Sequence, residues 1–120
     1  MRVVIVDDAP EFRDLLADYL RSEGRFDVVG MAGDGAAAEH VIDLADPDVV
    51  ILDVHLPREN GLDVLARLRH GRSHTMFVMN TVDDTVTDEA ERRGANLCID
   101  KMTPFDELCD AIIASLPPSG

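Results

Sequence analysis

Apolar residues fall along this chain in two alternating rhythms. Short continuous runs rich in Val and Ile occur at Arg2–Val6, Phe26–Ala32, Val49–Leu52, Thr75–Met79 and Ala95–Ile99. Runs of this length, bounded by turn residues, predict strands buried on both faces, as in a parallel sheet. Between them, apolar positions recur at three- and four-residue spacing, which predicts helices. Phe12, Leu15, Leu16, Tyr19 and Leu20 mark the first, and Val41 and Ile42 the packing side of a small-residue helix over Ala36–Ala45. Leu62, Leu65 and Leu68 line the third, and Thr85–Arg93 predicts a very polar fourth. Phe105, Leu108, Cys109, Ile112, Ile113 and Leu116 line the fifth.

Turn and cap residues sit where this alternation needs them. Asp8-Ala-Pro-Glu11 predicts a helix start, with Asp8 as acidic N-cap and Pro10 in the first turn. Gly24 and Gly94 predict helix ends. Gly33-Asp34-Gly35 and Pro47-Asp48 predict turns, while Asn60-Gly61 and Thr103-Pro-Phe-Asp106 open the third and fifth helices. Five strands alternating with five helices demand right-handed crossovers. The expected fold class is therefore α/β: a doubly wound (βα)5 unit, its open parallel sheet covered by helices on both faces. With 120 residues, the chain predicts one domain over residues 1–116, with 117–120 (PPSG) as a tail or the start of a linker.

Composition narrows the setting. The net charge of -13 repels a phosphate backbone, so direct nucleic-acid binding is not expected. It suits cations or a partner with a basic patch. No apolar run approaches a membrane span, and the stretch after Met1 is too short for a signal peptide. Cys98 and Cys109 lack CxxC spacing and predict reduced core thiols. A cytoplasmic location is expected.

Chemistry is expected where the strands end. In an open sheet of this kind, ligands sit beyond the carboxyl ends of the strands, at the switch point in their order. Asp7 and Asp8 leave the first strand, and Asp53 leaves the third. Were those strands neighbours, three carboxylates would converge; their repulsion favours a shared proton or a cation. Hard oxygen ligands fit Mg²⁺. Lys101, after the fifth strand, could bring a positive charge there. Asn80 and Thr81, after the fourth, offer an amide and a hydroxyl. Such a set suits transfer of a phosphoryl group to a carboxylate.

The stretches VDD at Val6–Asp8 and LDVHLPRENG at Leu52–Gly61 carry a resemblance, together with Gly94-Ala95 and Lys101. The whole chain resembles the receiver domain of bacterial two-component response regulators, with Pro57 and Gly61 at that family's spacing. The resemblance implies a flavodoxin-like strand order of 2-1-3-4-5. It implies Asp53 as phosphoryl acceptor and Mg²⁺ held by the side chains of Asp8 and Asp53 and the backbone carbonyl of His55. Asp7 would act through water, and Lys101 would pair with the phosphoryl group. The implied partners are a sensor histidine kinase or phosphotransfer protein, and a downstream protein target or an output domain absent from this chain. The implied output face is helix 4, strand 5 and helix 5, a bistable surface.

Three positions depart from that pattern. Aligned by strand ends, Asn80 stands where the family usually has Thr or Ser; counting back from Gly94 places Met79 there, and Thr81 falls one or two residues late. Cys98 stands where a Tyr or Phe ring often switches. Met102 follows Lys101 where many members have Pro. Two other readings compete. One is a phosphorylation-independent, receiver-like interaction module. The other is an Asp-nucleophile phosphatase of the haloacid dehalogenase type, which wants an acid two residues after the nucleophile, where His55 stands.

Overall fold

The computed structural model describes residues 1–116; the expected tail at 117–120 lies outside the described residues. Strands β1 (Arg2–Val6), β2 (Asp27–Ala32), β3 (Val49–Leu52), β4 (Met76–Thr81) and β5 (Leu97–Asp100) alternate with helices. These are α1 (Pro10–Glu23), α2 (Gly35–Ala45), α3 (Gly61–Arg69), α4 (Thr87–Arg92) and α5 (Phe105–Ala114). The sheet order is β2-β1-β3-β4-β5, and every pairing in it is parallel. The expected architecture and strand order are both present.

Alternation along the strands sorts the core into two layers. Val4, Val6, Val50, Leu52, Phe77 and Met79 face one side, where α2, α3 and α4 bring Ile42, Leu65, Leu68 and Ala90. Val3, Ile5, Val49, Ile51, Met76 and Val78 face the other, under Leu16 and Leu20 of α1 and Leu108, Cys109 and Ile112 of α5. A strand buried on both faces needs apolar residues at every position, which explains the uninterrupted runs. Phe105 of α5 packs edge-on against Phe12 at 5.9 Å and meets Tyr19 at 5.6 Å, joining the first and last helices.

Several local expectations change. Asp8 does not cap α1: the N-cap is Ala9, with no side-chain cap bond. Asp7 Oδ1 instead accepts the Ala9 N–H at 2.9 Å, leaving Asp8 exposed. β4 runs to Thr81, two residues beyond the expected end. It continues because β5 lies alongside, pairing Asn80 with Ile99 and Thr81 with Asp100. The polar fourth helix begins as a 3₁₀ turn, Asp84–Val86, capped by the Asp83 side chain on Thr85 N–H. A small antiparallel ribbon, His55–Leu56 against Glu59–Asn60, joins β3 to α3. At its turn Arg58 takes the left-handed conformation, φ 65°.

One interaction outside the core ties three segments together. Arg69, the last residue of α3, uses all five of its N–H donors. Nε and Nη2 donate to Gly94 O at 3.0 and 2.9 Å; Nη1 donates to Arg72 O and Thr75 O, both at 2.7 Å; Nη2 also donates to Asn96 Oδ1. Its guanidinium lies over the Phe77 ring, 4.7 Å from the centroid. Burial pushes the Arg69 pKa down, and the carbonyl cage is what keeps a cation there without a carboxylate partner. Gly94 makes room for it: φ is 114°, and a Cβ would lie 2.7 Å from Arg69 Cγ.

Candidate functional site

β1 and β3 are neighbours, with Val6 paired to Leu52, so both acidic strand ends open into one crevice. Backbone bonds fix the chain as it leaves the sheet. Asp7 N–H donates to Ala32 O, Asp53 N–H to Val6 O and Lys101 N–H to Thr81 O, each at 3.0 Å. Asp7 and Asp53 are buried and Asp8 is exposed. Each of the three offers a carboxylate oxygen, and these atoms lie within 4.8 Å of one another.

Lys101 crosses from the edge strand to the Asp7–Asp53 side of this cluster. Its ammonium lies 2.7 Å from Asp7 Oδ2 and 3.0 Å from Asp53 Oδ2. It also sits over the Phe12 ring, 4.4 Å from the centroid. Burial works to lower its pKa, but hydrogen bonds and attraction from Asp7 and Asp53 outweigh that, and the net shift is upward. One ammonium against three carboxylates leaves a negative site, which suits a cation. The donor set is all hard oxygen, with partial water access at Asp8, and fits Mg²⁺.

The segment after Asp53 is held closely. His55 N–H donates to Asp53 Oδ1 at 3.2 Å, and Gly61 N–H donates to Val54 O at 2.8 Å. Gly61 packs so near that a Cβ would lie 2.4 Å from Val54 Cα and 2.6 Å from Asp53 O. Asn60 opens α3 beside it by accepting Leu62 N–H at 2.8 Å.

Asn80 and Thr81 are both buried, and successive strand residues point to opposite faces. Asn80 Nδ2 donates to Ile99 O at 3.2 Å. Its Oδ1 is buried and has no partner, a situation that ordinarily costs about 1–3 kcal/mol. Thr81 Oγ1 accepts Asp83 N–H at 3.4 Å and borders a cavity of about 150 Å³ with Met79, Val86, Thr87 and Cys98. A small thiol at Cys98 thus leaves space beneath α4. Cys98 Sγ contacts Thr87 O at 3.9 Å.

The sequence-predicted residues Asp7, Asp8, Asp53 and Lys101 converge; Thr81 instead faces the cavity. Two neighbours were not foreseen. Phe12 carries the ordinary signature of a helix core position, yet its ring supports the ammonium. Arg13 donates to Asp7 O at 2.8 Å, a role with no sequence signal beyond its place in the first turns of α1.

Comparison with known proteins agrees with this geometry. The family model for the response regulator receiver domain matches residues 3–113. A protein-glutamate methylesterase/protein-glutamine glutaminase of Rhizobium etli is 34% identical over 95% of this chain and 35% of its own length. The transcriptional regulatory protein PdtaR of Mycobacterium tuberculosis is 34% identical over 92% of this chain and 54% of its own. The chain therefore spans about half the length, or less, of these curated relatives. Among solved structures, the response regulator domain of Thermotoga maritima CheB superposes with a TM-score of 0.86 at 29% identity, covering 98% of each chain. The receiver domain of the response regulator NarL from Mycobacterium tuberculosis gives 0.86 at 32% identity, over 94% of this chain and 93% of that one. The chain belongs to the response regulator receiver domain family.

Proposed function

We propose that the chain is a phosphoryl-accepting switch whose acceptor is Asp53. The observation that carries this reading is the Lys101 ammonium bonded to both Asp7 and Asp53 at the rim of an acidic cluster. An Asp53 oxygen attacks the phosphorus of a phosphohistidine donor. The O–P bond forms as the P–N bond breaks, and its electron pair goes to the imidazole nitrogen, which takes a proton from solvent. Asp8, Asp53 and the backbone carbonyl of His55 would hold Mg²⁺, with Asp7 acting through water, and the ion supplies charge neutralisation at the phosphoryl oxygens. Lys101 holds positive charge against the same oxygens. Water later attacks phosphorus, returning Asp53 as a carboxylate and releasing inorganic phosphate.

The donor is a sensor histidine kinase or phosphotransfer protein in the cytoplasm. An open apolar groove beside Lys101, lined by Phe12, Val82, Met102, Pro104 and Phe105, suits docking of an apolar surface of that donor. Val82 and Met102 are largely exposed there. The downstream receiver of the signal is a protein target or an output domain outside this chain. Among the described residues, no helix is long and apolar enough to cross a membrane.

Intact-mass analysis after incubation with acetyl phosphate and Mg²⁺ tests the reading. One phosphoryl adduct is expected, absent in Asp53→Asn and in EDTA. An adduct persisting on Asp53→Asn would move the acceptor elsewhere. No adduct from acetyl phosphate or from a phosphorylated histidine kinase would favour the phosphorylation-independent module.

A further inference from the structure

Lys101 is the only lysine in the chain, and its backbone and its charge are held by different parts of the molecule. Its N–H donates to Thr81 O at 3.0 Å, and in the turn that follows Asp100 Oδ1 accepts Met102 N–H at 2.7 Å. Beyond that anchored backbone, a flexible four-carbon stem leads to the ammonium. The ammonium has three hydrogens and, among the described residues, two carboxylate partners, Asp7 and Asp53. A further neighbour carries no charge: the Phe12 ring, 4.4 Å away at its centroid. That ring is itself fixed. Arg13, the next residue, donates to Asp7 O at 2.8 Å and ties the start of α1 to the segment bearing Asp7. Phe105 packs against the ring at an interplanar angle of 74° and sets its tilt. Leu16 and Ala17 bury the turn that follows.

The two kinds of hold respond differently to a metal. A divalent cation among Asp7, Asp8 and Asp53 draws on the same carboxylates and repels the ammonium. A ring face attracts a cation through its quadrupole but offers no hard oxygen to Mg²⁺. We propose that Phe12 is a positioning residue: its ring keeps the Lys101 ammonium beside Asp53 when a divalent cation takes up the carboxylates. The proposal rests on Asp53 being the phosphoryl acceptor. With the ring in place, the charge that faces the phosphoryl oxygens is oriented before they arrive. The Lys101 side chain is 16% exposed, so little water weakens the attraction. A carboxylate in the ring's place would hold the ammonium too, yet it would compete for the ion. A leucine would fill the space and leave the ammonium free to swing on its stem.

A single lysine makes the test direct, because ¹³C-lysine labelling gives one ε-methylene signal, that of Lys101. The signal is recorded in EDTA and in Mg²⁺ for the parent, for Phe12→Leu, and for protein with a trifluorinated phenylalanine at position 12. That last side chain keeps the shape of the ring and removes the negative face. It is inserted at this position alone, since the Phe77 ring also carries a cation. In the parent, the ε-protons should be displaced by the ring current and the stem should stay rigid in both conditions. In both variants the stem should stay rigid in EDTA, where the carboxylates hold it, and become mobile in Mg²⁺. Phosphorylation at saturating acetyl phosphate should slow by about tenfold in both, as expected for loss of one desolvated cation–π contact, with Mg²⁺ affinity unchanged. If the leucine variant folds poorly, the fluorinated ring decides the matter. A lysine stem as rigid in Mg²⁺ with the fluorinated ring as in the parent, and phosphorylation as fast, would overturn the proposal and leave the acceptor reading standing. A parent that forms no adduct on Asp53 removes the acceptor reading and this role with it.

Discussion

Replacing Gly61 by alanine separates close packing from backbone conformation at the site. Gly61 is the first residue of α3, with no left-handed φ. Without neighbours, alanine there would be favourable by about 0.5–1 kcal/mol, because glycine loses more freedom on folding. The neighbours reverse the sign. The new Cβ would stand 2.4 Å from Val54 Cα and 2.6 Å from both Asp53 O and Val54 O, against an ordinary contact of about 3.5–4.0 Å. All three atoms are backbone, so relief requires more than about 1 Å of movement by α3 or by the chain leaving β3. Overpacking of this kind costs about 1–3 kcal/mol and occasionally more, and the upper end applies because no side-chain rotamer can yield. For a domain of this size that is a Tm lower by about 10 °C. Circular dichroism at 222 nm measures it, and adduct formation from acetyl phosphate gives a second readout. Misplacing Asp53 by about 1 Å can slow the chemistry on the order of a hundredfold. Gly71 is the control: its φ is 77° and a Cβ there meets nothing within 4 Å, so Gly71→Ala should lose only about 1 kcal/mol and leave phosphorylation unchanged. A Gly61→Ala protein as stable as the parent would refute the packing argument.

The other predictions concern charge and burial. Arg69→Lys should lower Tm by several degrees, since three donors on a point cation cannot fill five bonds or lie flat on Phe77; thermal unfolding within a degree of the parent would sink that reading. Asp8→Asn should weaken Mg²⁺ binding at least about tenfold in calorimetric titration, a unit charge at this range being worth about 4 kcal/mol at an effective dielectric near 20. In EDTA the same variant should melt no lower than the parent, because like-charge repulsion is relieved; an unchanged Mg²⁺ affinity would remove Asp8 from the ligand set. Burial pushes the Cys109 thiol up to about 11 and raises that of Cys98 as well. At pH 8 both should resist alkylation in the native state and react once unfolded, whereas native labelling as fast as in denaturant would contradict their packing.

Much of the frame is written in the one-dimensional pattern, because strands covered on both faces leave uninterrupted apolar runs. Asp7, Asp53 and Lys101 are legible for a related reason: a charge at the end of such a run must emerge where the sheet stops. What stays hidden depends on neighbours distant in the chain. Asn is a poor strand former, yet Asn80 lies inside β4 because β5 pairs with it. Asp8 carries every local mark of a helix cap, but Asp7 takes up the Ala9 N–H instead. Arg69 reads as a cation complementing the last turn of α3; its carbonyl cage is assembled from segments 3 to 27 residues further on. The 3₁₀ start of α4 sits within hydrogen bonds of Asp83 and Thr85 that helical periodicity does not encode.

The strand order β2-β1-β3-β4-β5 also has a consequence for assembly. After β3 docks beside β1, every later strand joins at the growing edge, and none has to be inserted between two already in place. The sheet can be laid down in the order of synthesis. Its chemistry, however, is completed last. Asp7, Asp8 and Asp53 are brought together once β1 and β3 pair, but the ammonium that offsets part of their charge comes from Lys101, beyond the outermost strand. The Lys101–Asp7 bond is a clasp between the earliest and latest parts of the domain, reinforced by Phe105 on Phe12 and Tyr19. An intermediate lacking β5 would gather the carboxylates without their internal cation, so chemical competence itself reports that folding has reached its final strand.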